Sequence, residues 1–250
     1  MIWRLVIGEG SIYWNMAVDE AMLVLHEKGL IPNTLRIYTM KPSGVTFGYF
    51  QRVYDAINLE FLRSRNMNYT RRITGGGAVY HDMDGEITYS VVARIDNISW
   101  DILESYKIIC QGIVYAIEEF GLKAEYKPIN DVLVNGKKIS GSAQARKKHS
   151  LLQHGTLMYD TDLNTLSNVI KIPKEKMLAH GIKSIRERVT TLSLELGYNP
   201  GYRRVVSALI NGFKKALNIE FERGELTPME IMYARKLVKK YRSKEWIFKR

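Results

Sequence analysis

Apolar residues recur along the chain with two spacings, and these spacings predict alternating helices and strands. The clearest helix covers residues 101–120, where apolar side chains follow the helical period and Gly121 provides the stop. Thr227 followed by Pro228 marks the start of another helix, which runs to about Tyr241. Further helices are predicted over residues 15–28, 59–65, 163–170, 174–178 and 202–217.

Short runs rich in β-branched and aromatic residues predict strands between these helices. The predicted strands cover residues 2–7, 34–38, 44–50, 87–93 and 151–158. An Asn135-Gly136 pair inside the alternating stretch 131–139 predicts a β-hairpin, because both residues tolerate the positive φ of the tightest hairpin turns. No internal repeat, low-complexity stretch or long linker interrupts the pattern, so we expect one domain over residues 1–250.

Three consecutive glycines, Gly75 to Gly77, interrupt an otherwise strand-like stretch that runs from Arg71 to Asp82. A strand avoids glycine unless a bulge, or a ligand close to the backbone, requires it. Arg71 and Arg72 precede the glycines, and guanidinium groups beside free N–H groups bind phosphate or carboxylate. The stretch therefore indicates the floor of an anion-binding site. On composition alone, a glycine-rich turn with two solvated arginines is an equally weighted alternative.

Composition excludes several classes of protein. Of the 250 residues, 46% are hydrophobic and 25% are charged, which is ordinary for a globular protein in water. No apolar run reaches the ~18 residues of a membrane span, and the first residues lack the pattern of a secretory signal. The single cysteine, Cys110, excludes an internal disulfide and a multi-cysteine metal site, so a cytoplasmic, reducing location is expected.

The net charge of +11 indicates acidic proteins, anionic substrates or nucleic acid as partners. We find no zinc-finger spacing, aromatic RNA-binding signature or clear helix-turn-helix, so nucleic acid is the minority interpretation. Basic residues that favour an acidic protein partner include Lys147, Lys148, Arg186 and Arg188. A solvated basic surface explains the same residues equally well.

A second informative stretch follows the predicted hairpin turn. Lys137 and Lys138 stand in tandem before the small residues Gly141, Ser142 and Ala143, which permit close packing against a ligand. A lysine beside a hairpin turn is nevertheless normally a solvated charge. The stretch is suggestive and does not assign a function by itself.

Four other residues with polar side chains are interpreted as structural. Asp19 and Glu20 lie in the early turns of the helix over residues 15–28, where acidic side chains favour the helix dipole. Cys110 lies on the apolar stripe of the helix over residues 101–120, which favours a buried, inert thiol over a nucleophile. His154 is more often a hydrogen-bonded structural histidine than a catalyst.

Taken together, four motifs resemble those of lipoate–protein ligases. They are Arg71 to Asp82, Asn130-Asp131, Lys138 to Ala143 and His154 to Leu157. Their order and spacing also agree, and the resemblance extends over nearly the whole chain. It implies an α+β fold with a mixed, largely antiparallel β-sheet flanked by helices. Biotin–protein ligases and lipoyl/octanoyl transferases share this fold.

The resemblance implies an ATP-dependent lipoate–protein ligase. In such an enzyme, lipoate or octanoate and ATP with Mg²⁺ form an acyl-adenylate, and the acyl group then moves to a lysine of a carrier domain. The implied acceptors are the lipoyl domains of 2-oxoacid dehydrogenase acyltransferase subunits and the glycine-cleavage carrier protein. Lys138 matches the catalytic lysine of the family, and Asp131 matches a Mg²⁺-side carboxylate.

The resemblance also implies a set of residues that bind substrate and adenylate. They are Arg72, Thr74, Gly75, Gly76, Gly77, Val79, His81, Asn130, Gly141, Ser142, Ala143, His154, Gly155 and Thr156. His81 and His154 match histidines that line the lipoate pocket. From the pattern, the apolar tail of lipoate is placed among Val45, Val79 and Ala143.

Two departures from the ligase pattern bear on the reaction. The segments 82–90 and 152–155 are more similar to the octanoyltransferase branch, which acts through a cysteine thioester near the position of Asn130. This chain has no cysteine there, and Cys110 lies in a predicted helix in another part of the chain. We therefore prefer the ligase and keep the transferase as the alternative. Biotin–protein ligase ranks lower, because its glycine motif interleaves arginines with glycines.

The second departure is length. The chain stops at Arg250, where the catalytic domain of the family ends, so it resembles the catalytic part of a bipartite ligase. We therefore expect the C-terminal accessory domain to be absent from this chain and supplied as a separate subunit. A non-enzymatic scaffold is the remaining class, and Lys138 in its motif argues against it.

Overall fold

The computed structural model describes residues 1–171 and 185–250, and the helix predicted over residues 174–178 lies outside them. The described strands are β1 (Ile2–Gly10), β2 (Thr34–Met40), β3 (Gly44–Phe47), β4 (Asn68–Arg71), β5 (Ala78–His81), β6 (Glu86–Arg94), β7 (Ala124–Lys127), β8 (Asp131–Val134), β9 (Lys137–Arg146), β10 (Ser150–Met158) and β11 (Glu220–Arg223). The described helices are α1 (Ile12–Glu27), α2 (Val53–Ala56), α3 (Leu59–Ser64), α4 (Ile102–Glu118), α5 (Leu163–Val169), α6 (Leu192–Leu196), α7 (Tyr202–Leu217), α8 (Pro228–Arg242) and α9 (Lys244–Ile247).

Eight of the described strands form the main sheet, in the order β11-β1-β2-β6-β10-β9-β8-β7. Strand β1 runs parallel to β2 and to β11, and the other neighbours are antiparallel. Three more strands form a second sheet in the order β4-β3-β5, with β3 parallel to β4 and antiparallel to β5. A mixed, largely antiparallel sheet flanked by helices confirms the predicted α+β fold.

Helices cover both faces of the main sheet. Helices α4 and α7 pack together, and their apolar side chains join one core cluster with strand residues such as Leu35 and Val91. Helices α1 and α8 pack together in a second cluster, which contains Val92 and Leu152. Because successive side chains of a strand point to opposite faces, Val91 and Val92 place the two helical layers on opposite sides of β6.

The face of β6 that is turned toward α1 carries polar side chains. Glu86, Thr88 and Ser90 share this face with Val92, and all three are buried. In the neighbouring strand β10, His154 stands opposite Ser90 in the register. Buried polar groups need hydrogen-bond partners, so this face concentrates the polar interactions of the core.

The short elements show what the sequence pattern finds and what it misses. The predicted hairpin turn is confirmed, because Asn135 and Gly136 have φ values of 50° and 74°. Strands β7 and β11 were not predicted. The residues Glu220–Arg223 of β11 are mostly exposed, and they join the sheet by parallel pairing with β1. No helix among the described residues combines the length and the apolar character needed to cross a bilayer.

Candidate active site

A cavity of about 200 Å³ lies between the two sheets, lined by residues of β3, β5, β9 and β10. The predicted site residues that line it are Arg72, Gly76, Gly77, Val79, His81, Asn130, Lys138, Gly141, Ser142, Ala143, His154, Gly155 and Thr156. The lining residues that sequence reasoning missed are Met16, Thr46, Ala78, Tyr80, Thr88, Met158, Leu166, Ile170 and Val189. Four separate motifs therefore meet around one cavity.

Four predicted residues are not part of the lining. Thr74 and Gly75 belong to the start of the glycine loop, and Asp131 forms an ion pair with the lining residue Lys138. Val45 belongs to the apolar cluster of the second sheet instead of the cavity. Its neighbour Thr46 faces the cavity, because side chains alternate along β3. The sequence shows that side chains alternate along this strand, but it does not show which side chains point toward the cavity.

The two arginines before the glycine loop are buried, which excludes the interpretation of a turn with solvated arginines. Arg71 donates to the backbone oxygens of Tyr49 and Gln51 at 2.6 and 2.7 Å, and to those of Trp246 and Ile247 at 3.0 and 2.9 Å. It thereby connects the second sheet to the C-terminal helix α9. Its function is structural.

Arg72 is surrounded by the glycine loop. Its Nη2 donates to the carbonyl oxygens of Gly75 and Gly77 at 2.8 and 2.9 Å. Its Nε donates to Thr74 Oγ1 at 3.2 Å and its Nη1 to Thr46 Oγ1 at 2.9 Å. Burial lowers the pKa of Arg72 to about 10, so it remains a cation at neutral pH. The loop is therefore folded around a buried positive charge that also borders the cavity.

Close backbone contact holds the loop in this shape. The Tyr49 N–H donates to the Thr74 carbonyl at 2.8 Å. A Cβ added to Gly48 would lie 2.0 Å from the Gly76 carbonyl oxygen, and Gly76 itself has φ +88°. Both positions therefore require glycine, for a steric and a conformational reason respectively.

Lys138 brings a second positive charge to the cavity. Its Nζ lies 2.6 Å from Asp131 Oδ1, and both side chains are partly exposed, at 38% and 30%. A Cβ at Gly141 would lie 2.7 Å from the Lys138 Nζ, so the lysine passes directly over that glycine. The absent side chain at Gly141 thus gives Lys138 its path into the cavity.

As a Mg²⁺ ligand, Asp131 stays a prediction, and its carboxylate is already engaged by a lysine. Its Oδ1 is paired with an ammonium group, and a cation there would compete with Lys138. Among residues 1–171 and 185–250, no group of three or more His, Cys, Asp or Glu side chains is placed to hold a metal ion. We therefore derive no step through Mg²⁺.

Both histidines at the cavity use both ring nitrogens. His154 Nδ1 lies 2.9 Å from Asp19 Oδ2, and its Nε2 lies 2.8 Å from Thr74 Oγ1. His81 Nε2 lies 2.9 Å from Thr46 Oγ1, and its Nδ1 lies 3.1 Å from a Glu86 oxygen. Three of these four neighbours, Asp19, Thr46 and Glu86, lie outside the four motifs, and Thr74 lies within the first of them.

The charge states of this buried region follow from its contacts. Burial lowers the pKa of His154, although the hydrogen bond that His154 donates to Asp19 opposes the shift. For Asp19, burial acts to raise the pKa, but the hydrogen bond with His154 and the charge of Arg36 hold it below its ordinary value. An ionised Asp19 beside a neutral His154 is consistent with the lowered pKa of each group.

Cys110 is separated from the cavity, as the helical pattern predicted. Its side chain is fully buried, and burial raises the pKa of the thiol to about 11. Its Sγ lies 3.6 Å from Ser142 Oγ, and Ser142 lines the cavity. A protonated thiol behind that wall is not a nucleophile for a bound substrate.

The fold and the cavity together define an enzyme of the lipoate ligase and transferase class. Residues 11–214 match the family described as the lipoyl protein ligase A/B catalytic domain, and the chain belongs to that family. An octanoyltransferase LipM from Brevibacillus brevis is 34% identical, over 99% of each chain.

Two solved structures are similar over nearly the whole chain. One is an archaeal bipartite lipoate protein ligase from Thermoplasma acidophilum, 33% identical, which has a TM-score of 0.87 and aligns over 99% of this chain and 96% of its own. The other is a lipoate-protein ligase A bound with ATP, 31% identical, with a TM-score of 0.87 over 99% of each chain. The predicted resemblance is confirmed.

The comparisons contradict the prediction of an ATP-dependent ligase. Five bacterial relatives that are 31–35% identical over at least 99% of this chain are octanoyltransferases. The error has a physical reason, because the motifs that carried the prediction line one cavity and place a lysine cation beside it. Either reaction needs both features, and fold similarity to an ATP-binding ligase does not decide between them.

Gly48→Ala should destabilise the protein, because the new Cβ meets backbone atoms of the glycine loop that have no room to move. We expect the free energy of unfolding to fall by about 1–3 kcal/mol, measured by urea denaturation. Gly77→Ala is the matched control, since a Cβ there meets nothing within 4 Å. Equal stability of the two variants would contradict the packing described for Gly48.

Acidification should weaken the fold through His154. Burial lowers the pKa of His154 in the folded protein, whereas an unfolded histidine titrates near 6.5. As the pH falls below about 6.5, the unfolded chain binds more protons, so the free energy of unfolding falls with pH.

The measurement is the free energy of unfolding against pH for the protein and for His154→Gln. The variant should lose part of the slope below pH ~6.5. The same change at His149, on the turn between β9 and β10, is the control for a histidine outside the cavity. A slope that is identical in the protein and His154→Gln would contradict the assignment.

Proposed function

We propose that the protein is an acyltransferase that moves an octanoyl-type group from a carrier thioester to the ε-amine of a lysine on a lipoyl domain. The observation that carries the proposal is similarity to octanoyltransferases over 99% of each chain. The apolar residues of the cavity suit a medium-length acyl chain, since each buried CH₂ contributes about 0.8 kcal/mol.

Lys138 is the residue that we assign to the reaction itself. The acceptor amine attacks the thioester carbon, and negative charge develops on the carbonyl oxygen. When the tetrahedral intermediate collapses, the C–S bond breaks, and the proton lost by the amine leaves with the thiolate as a thiol. The Lys138 ammonium at the cavity stabilises the developing oxyanion. Stabilisation of this kind is usually the largest single contribution to the rate of an enzymatic acyl transfer.

The proposed transfer is direct, with donor and acceptor bound together. The expected cysteine near Asn130 is absent from this sequence, and the one cysteine of the chain is buried with a pKa of about 11. Ping-pong transfer through a thioester on the enzyme therefore has no thiol to use. An incoming lysine amine is itself a sufficient nucleophile for a thioester.

The proposed partners are an acyl carrier protein as donor and a lipoyl domain as acceptor. The net charge of +11 favours acidic domains for both. The octanoyltransferase relatives match this chain over 99% of their own length. The proposal therefore includes no accessory subunit.

The protein, an octanoyl carrier protein and an unmodified lipoyl domain should yield an octanoylated lipoyl domain without ATP, measured by intact mass spectrometry. Lys138→Ala should lower kcat/KM by about 10²–10³-fold, the effect of removing one oxyanion-stabilising group. Lys137→Ala is the matched control, because its side chain is exposed on the same strand. Cys110→Ser should retain activity.

Other outcomes would overturn parts of the proposal. Product that forms only from free octanoate with ATP, and never from the carrier thioester, would refute the transferase. Acylated Cys110, or loss of transfer in Cys110→Ser with the fold intact, would refute direct transfer. An unchanged rate in Lys138→Ala would remove the role of Lys138.

A further inference from the structure

Two buried chains of hydrogen bonds end on the guanidinium group of Arg72. The first runs from Asp19 through His154 to Thr74, with distances of 2.9 and 2.8 Å, and then 3.2 Å to Arg72 Nε. All four side chains that form this series of hydrogen bonds are buried. The polypeptide brings Asp19 and His154 together across 135 positions.

The second chain has the same chemical order. It runs from Glu86 through His81 to Thr46, with distances of 3.1 and 2.9 Å, and then 2.9 Å to Arg72 Nη1. Each chain thus consists of a carboxylate, an imidazole and a threonine hydroxyl. Arg72 is the group that they share.

The direction of each chain follows from Arg72. A guanidinium group only donates, so both threonine oxygens accept from it. Each threonine must then place its own proton elsewhere, and the neighbouring histidine Nε2 is within reach. Nε2 accepts only if the ring proton is on Nδ1, and the carboxylate opposite Nδ1 favours that position.

Asp19 is well suited to hold this tautomer. Its Oδ1 accepts from Arg36 Nη1 at 3.1 Å and from Ser90 Oγ at 3.0 Å. Its Oδ2 accepts from Tyr38 Oη at 2.7 Å and from His154 Nδ1 at 2.9 Å. With donors on every side, the carboxylate stays ionised and receives the Nδ1 proton.

We propose that Asp19 and Glu86 are positioning residues that act through His154–Thr74 and His81–Thr46 to hold Arg72 in one orientation beneath the glycine loop. With Nε and Nη1 held by the two threonines, Nη2 is left to bind the carbonyls of Gly75 and Gly77. The two carboxylates thus determine the shape of the cavity wall formed by Gly76 and Gly77. For catalysis, this inference rests on the proposed acyl transfer.

A rival interpretation is a hydroxyl–histidine–carboxylate nucleophile. Thr46–His81–Glu86 has the connectivity of a catalytic triad, and Thr46 and His81 both line the cavity. However, the Thr46 oxygen already accepts a hydrogen bond from Arg72, and its side chain is fully buried. A hydroxyl that is fully buried and held by both Arg72 and His81 is poorly placed to reach a bound carbonyl carbon, so positioning is the interpretation that the contacts favour.

The first measurement is the tautomer of the two rings in the full-length protein labelled with ¹⁵N-histidine. His154 and His81 should each carry a ring proton on Nδ1 and accept from the neighbouring threonine at Nε2. In Asp19→Asn, the amide oxygen keeps the contacts of Oδ1, and the amide nitrogen donates toward Nδ1. His154 should then switch to the Nε2–H tautomer. Ser90→Ala is the matched control, because it removes one donor to Asp19 and leaves the direction of the hydrogen bond between Asp19 and His154 unchanged.

The second measurement tests whether Asp19 acts through Arg72. Asp19→Asn should lower kcat by about 10- to 100-fold, the range for partners that orient a functional group. Arg72→Lys keeps the charge but lacks the planar fork that reaches both threonines and both carbonyls. If Asp19 acts through Arg72, the double variant should be no slower than Arg72→Lys alone.

The outcomes separate this inference from the proposed function. An Nε2–H tautomer of His154 in the unaltered protein, or effects of Asp19→Asn and Arg72→Lys that multiply in full, would overturn it. An acyl group found on Thr46 by peptide mass spectrometry would establish the nucleophile instead. If the protein transfers no acyl group, the proposed function fails. The ring tautomers and the response to Asp19→Asn still decide the positioning role.

Discussion

A cation buried without a carboxylate in direct contact is the constraint on which this site depends. Arg72 is 4% exposed, and its acceptors in the described structure are two threonine hydroxyls and two glycine carbonyls. Burying a guanidinium group is costly unless its donors are satisfied. The glycine loop, strand β3 and the two histidines therefore have to be arranged around it.

This constraint explains why the glycines cluster where they do. Two carbonyl oxygens must turn toward Arg72, and Gly76 between them adopts φ +88°. Gly48 must lack a side chain, because the Gly76 carbonyl occupies that space. The run of glycines is thus a consequence of the buried charge. The sequence pattern suggested instead that the loop offers bare N–H groups to an anion.

The sequence predicted the elements well because most of them are strongly periodic. It also brought four motifs to one site, since their order and spacing resemble a known family. It did not find Thr46, because a shift of one residue along β3 exchanges the cavity face for the apolar core that holds Val45. The sequence of that short strand does not show which of its two faces is turned toward the cavity.

Asp19 shows a deeper limit of sequence reasoning. The sequence pattern predicts a helix that begins at residue 15, which makes Asp19 an early acidic residue favoured by the helix dipole. The helix begins at Ile12, so Asp19 lies near its middle, where the dipole does not explain it. Its partners Arg36, Tyr38 and His154 come from β2 and β10. The long-range pairing that makes it a buried hub is a property of sheet order, which local patterns do not contain. Strand β11 was missed for a related reason, since its pairing with β1 uses the backbone.

The four motifs do not distinguish a ligase from a transferase, because they describe features that both classes of enzyme share. They describe a cavity with a lysine beside it, and a reaction that starts from ATP needs the same two features as one that starts from a thioester. The segments 82–90 and 152–155 resembled the transferase branch, and they include parts of the polar face of β6 and β10. The absent cysteine outweighed that signal, although a cysteine is needed only if the enzyme itself carries the acyl group.

Direct transfer makes a geometric demand that an enzyme-bound thioester does not. Donor and acceptor must reach Lys138 at the same time, so the lysine has to lie at an open edge of the cavity. Its 38% exposure fits that requirement.

Arg188 is also exposed, and its carbonyl accepts from the Lys138 N–H at 2.8 Å, so a second basic residue lies at the same edge. Lys147 and Lys148 lie on the turn between β9 and β10, several residues beyond the part of β9 that lines the cavity. For the proposed transfer, the basic residues beside Lys138 are therefore better placed than that turn to receive two acidic carriers at the same time.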